Sequence, residues 1–154
     1  HKPHHTNPVS MIYGLREALA LVLNEGLKER WARHQNIANA LRHGLAALEL
    51  SSPVDKNARL NQLTVVSLPE GVNDEDLRNQ LLRDYGIEIG RGLGQFTGKV
   101  VRIGIMGESC SISNVLTLLN ALESILPQHG YSVLPGSGTS AASEALITNP
   151  GYAH

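Results

Sequence analysis

A single arginine stands in the middle of an otherwise apolar run, and this position is well suited to bind an acid. Arg102 lies within residues 100–107, where its nearest neighbours on both sides are valine and isoleucine. A guanidinium presents a planar fork of donors that matches a carboxylate with two parallel hydrogen bonds, and a strand would hold that fork stiffly. The alternative is an arginine on the solvent face of the strand that forms an ordinary ion pair with Glu88 or Glu108.

The histidines near the amino terminus form a second group that could do chemistry. His1, His4 and His5 cluster within five residues and invite a metal-binding interpretation. No cysteine or carboxylate stands beside them at ligand spacing, and three side chains on one short terminal segment form no preorganised site. We therefore predict no metal centre in this chain.

Two further features could be reactive, but each has a simpler explanation. The single cysteine, Cys110, has no recognisable base partner, so we expect a structural side chain that is buried or semi-exposed. Residues 90–99 hold four glycines, which is typical of a binding loop or of a long hairpin turn. The glycine spacing is not that of a phosphate-binding fingerprint, since no Gly-Lys-Ser/Thr follows.

The elements that must position these residues follow from periodicity and from turn signals. Asn73 and Ser111 are predicted to begin helices, and Gly86 is predicted to end one. Apolar residues at three- and four-residue steps predict helices over residues 9–24, 27–48, 74–85 and 112–126, with a further possible helix over 139–147. Strands are predicted over residues 63–68, 87–89 and 100–107. Trp31 lies on the apolar stripe of the second helix, which predicts a core position. The order of elements favours an α+β fold, in which a short, mainly antiparallel sheet of three or four strands has helices packed on one face.

The composition limits the class of protein. Of the 154 residues, 42% are hydrophobic and 18% are charged, with a net charge of -1, which provides no field that would attract nucleic acid or an anionic membrane. No apolar run approaches the length of about 20 residues that spans a bilayer. The chain opens without methionine or leader, and we expect it to be cut from something longer.

Two blocks of sequence carry a resemblance to a known family. The blocks consist of these short runs: His4-His5-Thr6, Pro8-Val9, Leu15-Arg16-Glu17 and Glu25-Gly26-Leu27, then Gly86-Ile87-Glu88-Ile89, Thr97-Gly98-Lys99-Val100 and Arg102-Ile103-Gly104-Ile105-Met106-Gly107. In these runs, and from about residue 3 to residue 126, the chain resembles the carboxyl-terminal portion of class V aminotransferases that use pyridoxal phosphate. The alanine–glyoxylate, serine–glyoxylate and ureidoglycine–glyoxylate enzymes are the relevant group.

The resemblance implies a place in the fold for each part of the chain. Residues 1–25 would be the end of the large domain and a connecting helix, residues 26–130 the small carboxyl-terminal domain of a fold-type I enzyme, and residues 131–154 a tail. The catalytic lysine would lie upstream, because none of the lysines stands in the setting that the family uses for its Schiff base; they are Lys2, Lys28, Lys56 and Lys99. This chain alone is therefore expected to be inactive.

The resemblance also implies roles for individual residues. Arg102 matches the arginine that pairs with the substrate carboxylate. Thr6 resembles the threonine that reaches the cofactor phosphate of the neighbouring subunit, with His5 beside it near the subunit boundary. Pro3 departs from the alanine–glyoxylate pattern, which usually has tyrosine there, and residues 108–115 have some character of the ureidoglycine branch.

The family pattern implies a homodimer acting on small amino acids and 2-oxo acids, with the upstream portion of the same enzyme as a partner. The compartment would be soluble and intracellular: cytoplasmic in a bacterium, and peroxisomal or mitochondrial in a eukaryote. A rival interpretation is a non-catalytic interaction or assembly module, which the missing lysine favours. A third is one half of a split or proteolysed enzyme, because the faces of the first two helices look too apolar to stay exposed.

Overall fold

The computed structural model describes residues 7–148 of the chain. These residues divide into two compact units, with the boundary between residues 32 and 33. Helix α1 covers Val9–Glu25, and α2 covers Leu27–Ala47, so that the boundary between the units falls within α2. The expected division at residues 25 and 130 remains a prediction.

The first unit exposes its apolar side chains. No residue of α1 is buried, and Met11 and Leu23 are 74% and 80% exposed. The prediction that Trp31 is a core residue is wrong, since this side chain is 62% exposed. Helical spacing identifies the apolar side of a helix, but it does not say what covers that side.

The second unit is built on a three-stranded antiparallel sheet, as predicted. Strand β1 is Leu63–Ser67, β2 is Gly90–Arg91 and β3 is Val100–Gly104, with β3 in the centre of the order β1-β3-β2. The prediction of a strand over residues 87–89 is wrong, because β2 begins at Gly90. The third strand ends at Gly104, three residues earlier than expected. The fold class is α+β.

The helices of the second unit cover one face of this sheet. Helix α3 is Asp74–Tyr85, α4 is Ile112–Ile125 and α5 is Ser137–Ile147. A single core joins them to the remainder of α2 and to the strands; its members include Leu41, Leu77, Leu81, Leu119, Ile125, Val66, Val101 and Ile103. Among the described residues, no helix combines the length and the apolar character needed to cross a membrane.

The helix ends are formed by the residues that sequence indicates. The Asn73 side chain accepts hydrogen bonds from the amides of Glu75 and Asp76, at 2.9 and 3.1 Å, and begins α3. Gly86 ends α3 in the left-handed conformation, with φ of 66°. Ser111 accepts a bond from the Asn114 amide and begins α4. These caps fix the lengths of the helices that support the sheet.

Candidate functional site

Arg102 lies on the face of the sheet opposite the helices of the second unit. Side chains alternate along a strand, and the neighbours of Arg102 on either side, Val101 and Ile103, belong to the helix-covered core. Arg102 is therefore on the opposite face, where it pairs with Val65 of β1 and Gly90 of β2. Its side chain is half-buried. The run around Arg102 is largely apolar because β3 is the central strand and one of its faces is buried. Arg102 is the exception because its side chain lies on the other face.

The guanidinium of Arg102 is held at one nitrogen only. Nε donates to the carbonyl oxygen of Arg91 at 2.8 Å. Within residues 7–148 the two terminal nitrogens have no hydrogen-bond partner, and no ion pair forms with Glu88 or Glu108. The ordinary ion pair considered as the alternative is therefore not formed by the described residues. The arrangement orients the planar group and leaves its outer edge able to bind an acid.

Gly90 provides the space that the guanidinium occupies. A Cβ added at Gly90 would lie 3.3 Å from Nη2 and 3.4 Å from Nε of Arg102, tighter than ordinary van der Waals contact. Sequence reasoning did not identify this role. The signal was present, because a glycine in a strand interior often marks the close approach of another group.

The glycine-rich segment is the connection of the β2–β3 hairpin. The Gly92 amide donates to the Val100 carbonyl at 3.0 Å, and a 3₁₀ turn, Gly94–Phe96, follows. The Thr97 hydroxyl donates to the Gly94 carbonyl at 2.8 Å. These bonds fix the turn that leads back into β3, and thereby the register that places Arg102 opposite Gly90.

We expect Gly92→Ala to destabilise this hairpin by about 1–3 kcal/mol, the usual cost of forcing an added methyl group into a packed site. Gly92 is buried, and an added Cβ would overlap the Phe96 carbonyl oxygen and lie 3.0 Å from Cγ2 of Val100. Urea unfolding of the wild-type and variant proteins measures the effect. Gly104→Ala is the matched control, because its Cβ would meet only Met106 at 3.4 Å; equal losses in the two variants would contradict the prediction.

Several residues singled out from sequence lie elsewhere. His5 and Thr6, with His1 and His4, fall outside the described residues, so their roles and the absence of a metal centre remain predictions. Cys110 is 2% exposed and belongs to the core, as expected. Its carbonyl oxygen, like that of Gly107, accepts a hydrogen bond from Nη1 of Arg33, at 2.7 and 3.0 Å.

The described lysines do not fit the covalent attachment of a carbonyl cofactor. Lys28, Lys56 and Lys99 are all exposed. A lysine that forms a Schiff base is activated by desolvation or by a neighbouring cation in a closed pocket. The described residues do contain an oriented arginine, Arg102, whose terminal nitrogens have no partner within residues 7–148.

Comparison with known proteins shows that this chain is similar to members of one family. The family model described as Aminotransferase class-V matches residues 1–113. The chain is 40% identical over 139 residues to (S)-ureidoglycine–glyoxylate transaminase of Bacillus subtilis, covering 90% of this chain and 33% of the relative. It is 43% identical over 127 residues to alanine–glyoxylate aminotransferase of Callithrix jacchus, covering 82% and 30%.

Solved structures agree with the sequence matches. The crystal structure of ureidoglycine–glyoxylate aminotransferase from Bacillus subtilis superposes with a TM-score of 0.90 at 39% identity, covering 94% of this chain and 37% of that one. Pyridoxamine–pyruvate aminotransferase from Mesorhizobium loti gives a TM-score of 0.89 at 35% identity, covering 96% and 38%. The chain thus spans about a third of the length of its curated relatives. Enzymes of this class depend in general on pyridoxal phosphate, and this chain belongs to the class V aminotransferase family.

Proposed function

We propose that this chain is the acid-recognising, carboxyl-terminal part of an aminotransferase that transfers an amino group to glyoxylate or a similar 2-oxo acid. The observation that carries the proposal is the Arg102 guanidinium, anchored at Nε by the Arg91 carbonyl and without a partner at its terminal nitrogens among the described residues. Amino acids and 2-oxo acids share a carboxylate, so one such arginine serves both substrates in turn.

The chemistry divides between this chain and the upstream portion. Pyridoxal phosphate, when bound, supplies the electron sink for the bond that is broken. Arg102 binds the substrate carboxylate and so fixes which substituent of the α-carbon is aligned for reaction. The proton transfer belongs to a lysine upstream of this chain. Thr6 and His5 are proposed to lie near the cofactor phosphate.

The exposed apolar side chains of α1 support a partner for the first unit. Seventeen residues of helix with none buried leave Met11, Tyr13, Leu15 and Leu23 at least 60% exposed. Contiguous apolar surface of this kind marks a protein interface. We propose that the upstream portion of the same enzyme covers this helix, within a homodimer.

A non-catalytic assembly module remains the second candidate, and the exposure of all three described lysines favours it for this chain taken alone. The substrate could be of the alanine–glyoxylate or the ureidoglycine–glyoxylate type. The compartment is proposed as cytoplasmic in a bacterium, and as peroxisomal or mitochondrial in a eukaryote.

The experiment uses the full-length protein that contains residues 1–154. We expect the purified protein to bind pyridoxal phosphate with a visible yellow absorbance, and to consume glyoxylate when alanine, serine or ureidoglycine is supplied as donor. Each donor is assayed separately, which also identifies the substrate branch. A protein that stays colourless after reconstitution with the cofactor, and that leaves glyoxylate unchanged, would support the assembly module instead.

A further inference from the structure

Two arginines from distant parts of the chain line the same small cavity at the outer edge of β1. Arg42 comes from α2 and Arg59 from the loop before β1, and Ser52 and Thr64 complete the polar lining. The volume of this partly open cavity is about 100 Å³, and an adjoining cavity of about 220 Å³ shares these four residues. Arg102 lines neither cavity, so this location is separate from the proposed substrate site.

The cavity collects hydrogen-bond donors that the described residues leave unused. Nε of Arg42 and the hydroxyl of Thr64 are buried without any partner, and Thr64 is only 6% exposed. Nε of Arg59 donates to the Val54 carbonyl at 3.0 Å, while its terminal nitrogens have no partner within residues 7–148. Buried polar groups are nearly always paired. Nε of Arg42 and the Thr64 hydroxyl expose almost no surface, so an acceptor in the cavity reaches them only after their side chains shift, whereas the terminal nitrogens of Arg59 already lack a partner among the described residues.

The positive charges of Arg42 and Arg59 also favour binding of an anion. Burial, and then the positive charge of Arg59, lower the pKa of Arg42 from its ordinary value. The residues lining the two cavities include no aspartate or glutamate. Like charges that approach each other without an intervening carboxylate are stabilised by an anion from outside.

The geometry of Arg42 shows that its position does not depend on that anion. One terminal nitrogen, Nη2, donates to the Leu60 carbonyl at 2.7 Å, and Nη1 donates to the Asn39 side chain at 3.2 Å. The guanidinium is thereby held between α2 and the loop, with its buried Nε left over. A preorganised cation of this kind binds an anion without first losing conformational freedom.

We propose that Arg42, Arg59, Thr64 and Ser52 form a binding site for one small oxyanion, a phosphate or a short carboxylate. Both classes present several acceptor oxygens to a cavity whose lining has two arginines and no carboxylate, and the terminal nitrogens of Arg59 supply the main charge-assisted hydrogen bonds. The cavity of about 100 Å³ has room for one such ion, since about 10–15 Å³ by the same measure is enough for a water molecule. Bound there, the anion links α2 to the edge of the sheet and stabilises the second unit.

The test measures thermal unfolding of the full-length protein saturated with pyridoxal phosphate, so that the cofactor's own phosphate site is already filled. Inorganic phosphate, acetate and chloride are compared at equal ionic strength. We expect phosphate or acetate to raise Tm in a saturable manner that chloride does not reproduce, because an anion that binds only the folded state stabilises it. Whichever of phosphate and acetate gives the saturable shift in Tm identifies the class of oxyanion.

Variants separate a site from a general salt effect. Arg59→Gln should weaken the apparent anion affinity by about tenfold or more, because charge-assisted bonds are lost. Arg83→Gln is the control, since Arg83 is exposed and pairs with its neighbour Asp84 at 2.8 Å; it should keep the wild-type response. Equal responses in wild type and Arg59→Gln, or no oxyanion response beyond that of chloride, would overturn the proposal.

Thr64→Val provides a second readout in case Arg59→Gln folds poorly. Without added oxyanion, the valine variant should be as stable as wild type or more so, because an unpaired buried hydroxyl is removed. With oxyanion, its Tm shift should be smaller than that of the wild type. A shift of wild-type size would show that the hydroxyl does not touch the ion, and would remove Thr64 and the buried-donor argument on which the site rests.

Discussion

Replacing Arg102 by alanine in the full-length protein is expected to lower kcat/KM by about 30-fold to several-thousandfold for both the amino donor and the 2-oxo acid. This range corresponds to the cost of about 2–5 kcal/mol for truncating one partner of a hydrogen-bonded charge pair. Most of the loss should be a higher KM, because the carboxylate is bound in the ground state as well as in the transition state. Steady-state kinetics with each substrate varied in turn measure both parameters.

Two comparisons make this result specific. Arg102→Lys keeps the charge but loses the planar fork and the Nε bond to the Arg91 carbonyl, so it should recover only part of the affinity. Arg83→Ala removes an exposed arginine on α3 and should leave the kinetics unchanged. Wild-type KM values for both substrates in Arg102→Ala would remove the assignment, and a loss of bound cofactor in that variant would indicate a structural cause.

The sequence correctly predicted those features of the fold that depend on interactions between residues close together in the chain. Asn73, Gly86 and Ser111 act within one turn of helix, so their residue types identify the helix ends without knowledge of the rest of the chain. The antiparallel sheet followed from the order of elements. Periodicity also gave the α5 helix, which the structure places at Ser137–Ile147.

The wrong predictions concern features that depend on contacts between residues far apart in the sequence. Ile87-Glu88-Ile89 alternates like a strand, yet β2 forms at Gly90–Arg91, because the register of the β2–β3 hairpin pairs Gly90 with Arg102. The β-propensity of isoleucine could not reveal that register. Trp31 was assigned to the core by its spacing, although its side chain is 62% exposed.

The candidate site was predictable in part. Arg102 was singled out by the resemblance together with its place in an apolar strand, and its substrate role stays a prediction. Its supports are a backbone carbonyl and a missing Cβ, which carry no side-chain signal. The cavity of Arg42 and Arg59 was missed for a different reason. Its members lie in α2, in a loop and in β1, and each is an ordinary residue in its own segment. Only the folded chain brings the unpaired donors together.

Replacing Glu123 by alanine is expected to destabilise the second unit by about 3 kcal/mol, because several charge-assisted hydrogen bonds are lost. Glu123 lies on α4 and is 9% exposed. Its carboxylate accepts hydrogen bonds from the backbone amides of Gly136, Gly138 and Thr139, at 2.7, 2.9 and 3.1 Å. These amides open α5, where Gly136 provides no side-chain cap, so Glu123 replaces the cap and opposes the positive end of the helix dipole.

Urea unfolding gives the loss of stability, and hydrogen exchange at the Gly138 and Thr139 amides shows where it arises. Glu123→Gln should also destabilise the second unit. The side-chain NH₂ group of glutamine is a donor, so it would face a backbone N–H that a carboxylate oxygen of Glu123 accepts in the wild type. Glu88→Ala, at an exposed position, is the control and should change stability by less than about 0.5 kcal/mol. If Glu123→Ala matches that control and the two amides stay protected, then α5 is held by apolar packing, such as that of the buried Ala142, and not by the carboxylate.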